Sequence, residues 1–93
     1  FKRKSPMTKI YIYCLFDRGD VFYGVYSSLK AVHRDALKVA NVGTAGVFME
    51  TEHGPQKPSL TLLRNTLKGQ HDVWVKYSGG ANTAKILKTR LKE

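Results

Sequence analysis

KIYIYCLFDRGDVFYGVYSSLKAVHRDALKVA, residues 9–40, decides the fold class. KIYIYCLF is β-branched and aromatic, the composition of a strand. DRGD follows with Gly19 as its turn residue, and VFYGVY at 21–26 reads as a second strand, so the two form a hairpin. The period then changes. Ser27 and Ser28 supply hydroxyls that can accept from the free N–H groups of a helix start. Leu29, Val32, His33, Ala36, Leu37 and Ala40 recur at the spacing of one helical face. A hairpin running into an amphipathic helix predicts an α+β domain.

Outward from there, NVGTAG is a turn, GVFMET a third strand, and EHGPQKP a loop broken by Gly54, Pro55 and Pro58. Ser59 caps a second helix, LTLLRNTLK, which Gly69 stops. DVWVKY at 72–77 is a fourth strand and SGG a turn. Ala81 or Asn82 opens a third helix that runs to Lys92. The expected order is ββαβαβα, a small, largely antiparallel sheet with helices on one face. SLKAVHRDALK and SLTLLRNTLK reuse one strand–cap–helix device. Residues 7–93 form a single basic domain. Met7 reads as a natural start, which leaves Phe1–Pro6 as a tag or frayed tail.

The 93 residues suit one modest core, and 42% hydrophobic content excludes a disordered tail. No apolar run approaches the ~18 residues of a membrane span. Cys14 is the only cysteine, so no internal disulfide can form; inside IYIYCLF it reads as a small buried hydrophobe. This suits a reducing cytoplasm. The charge is the informative quantity. Sixteen Lys and Arg face seven Asp and Glu, a net +9, and such a chain attracts polyanions. Residues 57–92 carry eight Lys or Arg against one acid, Asp72, a net +7.

The cations fall in rows. Lys30, Arg34 and Lys38 line one side of the first helix, and Arg64 and Lys68 repeat that spacing on the second. Lys85, Lys88 and Lys92 do so on the third, with Arg90 beside them. Rows without acidic i, i+4 partners point to phosphate-backbone binding. Aromatic residues lie among them. Tyr11, Tyr13 and Tyr23 are expected to share one hairpin face, as stacking surfaces for bases or as half-buried core. Phe16 and Phe22 should face the helices, and Trp74 and Tyr77 flank Lys76.

Catalytic and metal patterns are thin. HRDALKVAN resembles the catalytic loop of protein kinases, but it lies within a helical pattern, and the chain lacks a GxGxxG, a DFG and an APE. His33, His53 and His71 are scattered without ligand spacing, so neither metal nor cofactor is expected. His33, on the apolar stripe, reads as a core or boundary histidine. Glu50, Glu52 and His53 read as a loop rim. The hairpin also resembles the start of the GIY-YIG nucleases, with KIY at 9–11 for GIY and FYG at 22–24 for YIG. That resemblance implies Tyr11, Tyr23, Arg34 and Glu50 or Glu52 as catalytic candidates. Lys9 replaces the family's glycine, and no helical Glu follows, so no enzymatic activity is expected.

FYGVYSSLKAVHRDALK, after a YCLFD strand, resembles small early proteins of T-even-type phages, specifically the TifA-type inhibitors of the RNase toxin ToxN. The resemblance spans Met7 to Thr44. It implies a compact basic protein in the host cytoplasm that binds RNA and, with it, a ribonuclease toxin. The expected function is therefore RNA binding through Lys30, Arg34, Lys38, Arg64, Lys68, Lys76, Lys85, Lys88, Arg90 and Lys92. DNA stays open as an alternative, because phosphate contacts read neither base nor 2′-hydroxyl.

Overall fold

The computed structural model describes residues 10–41, 46–69, 72–79 and 82–91. Six strands and two helices follow in the order ββαββαββ: β1 (Tyr11–Asp17), β2 (Val21–Tyr26), α1 (Leu29–Ala40), β3 (Phe48–Thr51), β4 (Gly54–Gln56), α2 (Leu60–Leu67), β5 (Val73–Gly79) and β6 (Asn82–Arg90). The strands make one sheet in the order β2-β1-β6-β5-β3-β4, antiparallel at every pairing. This is an α+β architecture, with both helices on one face of the sheet.

The hairpin and both helices stand where the sequence puts them. Gly19 and Asp20 turn the hairpin in the left-handed region, at φ 75° and 62°, which glycine and aspartate tolerate. The Ser28 hydroxyl accepts from Ala31 N at 3.3 Å, and that of Ser59 from Leu62 N at 3.0 Å, so each helix begins at a side-chain cap. Part of the expected EHGPQKP loop is a short edge strand, β4, whose Pro55 limits further pairing. The expected turn after α1 lies mostly outside the described residues.

The third helix is overturned. Residues 82–90 are β6, the strand that pairs with both β1 and β5. Ala84, Leu87 and Leu91 fall at helical spacing, and the lysines follow it. Alternation is what the strand uses: Ala84, Ile86 and Lys88 are buried on one side, while Thr83, Lys85, Leu87 and Thr89 stand on the other. Without β6 the two halves of the sheet would have no common partner. Tertiary pairing therefore outweighs the helical propensity of Ala, Lys and Leu here.

The core fills the space between sheet and helices. Leu15, Met49, Val75, Tyr77, Ala84 and Ile86 of the sheet meet Val32, Ala36, Val39 and Ala40 of α1 and Leu63 and Leu67 of α2. Gly79 is where β5 passes under the end of α1. A Cβ there would lie 1.9 Å from the Ala40 carbonyl oxygen, so only glycine fits.

The expected facing of the hairpin aromatics is also reversed. Tyr13 and Leu15 point to the helices, and Tyr26, opposite Tyr13, packs with them. Phe16 points to the other face. In β1 both alternate sets of residues are apolar, so alternation alone does not choose the buried one. β2 adds a bulge. Leu15 pairs with Gly24 but Phe16 with Phe22, leaving Tyr23 as the extra residue. One inserted residue brings Phe22 to the side of Phe16, away from the helices. Cys14 lies on that same side and is half-buried rather than sealed in the core; burial raises its thiol pKa.

Candidate nucleic-acid interface

The sheet sorts the expected binding residues onto two faces. On the helix side, burying Val32, Ala36, Val39 and Ala40 turns the opposite edge of α1 outward, and Lys30, Arg34 and Lys38 form an exposed ridge there. Arg64 and Lys68 are exposed on α2 and its C-cap. Arg90, on the helix-facing side of β6, is exposed at the strand end. The acid among them is Asp35. Its carboxylate accepts from Tyr26 Oη at 2.6 Å and from Arg34 Nε at 3.1 Å. These bonds, that of Tyr26 foremost, hold the Asp35 carboxyl below its ordinary range. Burial and then the Asp35 contact push the Tyr26 phenol up to about 12. Among the described residues, Lys30, Lys38, Arg64, Lys68 and Arg90 make no ion pair. Such cations keep counterions that a phosphate can displace.

The third basic row does not exist. On a strand, Lys85 and Lys88 point to opposite faces, and Lys92 lies outside the described residues. Lys88 is 9% exposed, and its Nζ donates to the Leu67 carbonyl at 2.8 Å while standing 4.5 Å from the Tyr11 ring centroid. It therefore caps the C-terminal end of α2, where unpaired carbonyls and the helix dipole favour a cation. Lys88 serves the fold and has little left to offer a ligand. It does floor a cleft of about 330 Å³ between α2 and β1, whose rim includes Arg64, Asn65, Lys68 and Leu29.

The other face carries no helix. Across it runs an in-register row of Val25, Cys14, Leu87 and Trp74, and beside that a row of Phe22, Phe16, Lys85, Lys76 and Glu50. Phe22 is 58%, Trp74 50% and Phe48 49% exposed. Phe16 stands between two of these rings, 5.8 Å from Phe22 edge-on and 5.2 Å from Trp74. Lys85 Nζ meets Asp20 Oδ1 at 2.7 Å, and Lys76 Nζ meets Glu50 Oε2 at 3.7 Å. Trp74 and Tyr77 do not flank Lys76 together: Trp74 shares its face, while Tyr77 is buried under the helices. Alternation in VWVKY was the available signal for Trp74; nothing local marks the bulge that turns Phe22 outward.

The nuclease candidates do not converge. Arg34 is on the outer ridge of α1, Glu50 is on the open face of β3, Tyr11 stacks beneath Lys88, and Tyr23 is an exposed bulge residue. Glu50 also accepts from the Ser78 hydroxyl. No three His, Cys, Asp or Glu among the described residues are grouped closely enough to hold a metal ion, and His71 lies outside those residues. His33 is a boundary histidine, with Nδ1 bonded to Tyr77 Oη at 2.6 Å, and burial lowers its pKa. His53 pairs loosely with Glu52 at 3.6 Å on an exposed rim that Thr51 Oγ1 organises by bonds to Gly54 O, His53 N and Gln56 Nε2. No helix of the described residues is long and apolar enough to cross a membrane. No family, curated protein or solved structure matches the chain.

Proposed function

We propose that this protein binds RNA without cleaving it, holding the phosphate backbone along the helix side through Lys30, Arg34, Lys38, Arg64 and Lys68. One observation carries the reading: these residues, Arg34 apart, are exposed cations with no ion-pair partner among the described residues, on two neighbouring helices of a +9 chain. Phosphate contacts are insensitive to sequence, so RNA is preferred over DNA on the resemblance to the phage inhibitors. The same resemblance supplies the wider role, a phage-encoded inhibitor that holds a host ribonuclease toxin together with its RNA in the cytoplasm. Arg90 extends the basic surface, whereas Lys88 acts through the fold.

Protein purified from cells at low salt is expected to carry excess absorbance at ~260 nm that RNase removes. Labelled RNA incubated with Mg²⁺ or Mn²⁺ is expected to remain intact. Preparations free of nucleic acid that also fail to bind added RNA would sink the reading. Cleavage abolished by Arg34→Ala in a folded protein would replace it with the nuclease.

A further inference from the structure

We infer that the open face of the sheet is a stacking platform for unpaired bases, with Trp74 and Phe22 as the ring surfaces and Lys76 and Lys85 as the phosphate contacts beside them. The inference rests on the proposed RNA binding and narrows its ligand to single-stranded RNA.

The case begins with what the rings are doing there. Phe16, Phe22 and Trp74 form one continuous cluster of rings on the central strands and β2, and among the described residues no element covers it. Exposed rings of this size cost solubility unless a ligand uses them. The charges beside the rings indicate which ligand. Lys76 and Lys85 are direct cross-strand partners, and like charges placed opposite one another destabilise a sheet. Asp20 and Glu50 offset that repulsion from the two ends of the pair, without separating the lysines. Together Lys76, Lys85, Asp20 and Trp74 border a hollow of about 430 Å³.

A purely apolar protein partner would leave two ammonium groups desolvated at its centre, an expensive arrangement. A second copy of this +9 chain would bring two more lysines with their acids already paired, and so no free anion for Lys76 and Lys85. A nucleotide strand suits all three features. Its base lies flat on an indole or phenyl ring, its backbone phosphate falls between the lysines, and each ammonium has three donors, of which one carboxylate takes only one. The Asp20 carboxylate can accept from a base N–H, such as the N3–H of uracil. Duplex RNA cannot do this, because its bases are already stacked.

Trp74 is the only tryptophan, so its fluorescence reports this hollow alone. The test titrates the protein with a single-stranded oligouridylate, a duplex RNA of the same length and an abasic ribose-phosphate oligomer. Quenching by the single strand, and not by the duplex or the abasic oligomer, is expected. Phe22→Ala, at an exposed position, should weaken single-strand binding about five- to a hundredfold while leaving the salt dependence unchanged. Trp74→Leu should do the same, read by anisotropy of labelled RNA.

Salt-sensitive RNA binding with unquenched Trp74 and a fully active Phe22→Ala protein would overturn the inference and leave the proposed function standing. So would a dimer in sedimentation that Phe22→Ala dissociates, or a protein ligand that quenches Trp74 where the single strand does not. Failure to bind any RNA would sink both.

Discussion

On the helix-bearing side of β6, Lys88 is buried beneath the end of α2 and bonded to a backbone carbonyl; on the open side, Lys85 stands between Phe16 and Lys76 with an acid at its tip. The two residues are close neighbours in sequence and belong to one basic run, and they differ in face, burial and hydrogen-bond partner. The same contrast holds for the two faces of the sheet. The helix side buries its apolar surface internally and shows water an edge of cations of which, among the described residues, Arg34 alone is ion-paired. The open side leaves its rings in water and neutralises its lysines. Position in a basic run therefore says little about what a lysine does; the face it is placed on decides.

Reversing charge at these two lysines is the strongest way to break that contrast. Lys88→Glu places a carboxylate against the carbonyl end of α2 in a buried site, and the protein is expected not to fold. Lys88→Met keeps the length but leaves the Leu67 carbonyl without its partner, at about 2 kcal/mol in denaturant unfolding. Lys85→Glu should fold normally by circular dichroism. Equal stability of Lys88→Met and the parent would mean that Lys88 is surface after all. Comparable in size is Gly79→Ala, which drives a methyl group into the Ala40 carbonyl and should cost about 3 kcal/mol or more.

A smaller effect sharpens the helix side. Burial depresses the His33 pKa below its ordinary 6.5, so the neutral ring is the folded form. The unfolded chain binds that proton first as pH falls, so stability is complete above 6.5 and declines below it. His33→Gln should flatten this part of a pH–stability curve; an unchanged decline would place its origin elsewhere. Smallest of all, Asp35→Asn removes the acid from the α1 ridge. RNA affinity should rise slightly at low salt, with the salt slope steeper by about one unit or less.

Much of this was legible in the sequence. Ser28 and Ser59 mark both helix starts because their hydroxyls answer a local need of the backbone. The α1 ridge follows from a clean 3.6 period. β6 was not legible, because Ala84, Leu87 and Leu91 fit a helix while only its two neighbouring strands require extension. The open face is not legible in the sequence for two reasons. YIYCLF is apolar on both sides, and the bulge at Tyr23 changes the side of Phe22 through pairing alone. Lys88 looked like surface because burial of a lysine depends on a carbonyl from another element, here Leu67.

If the helix-side ridge holds the RNA backbone, the salt dependence of RNA binding must differ between the parent protein and Arg34→Glu/Lys38→Glu. Five phosphate contacts give a log–log slope of about −3 to −5, and loss of two should reduce it by about 2 in a variant that remains folded. An RNA affinity indifferent to salt, or a variant with the parent's affinity and slope, would mean that the ridge does not hold the backbone.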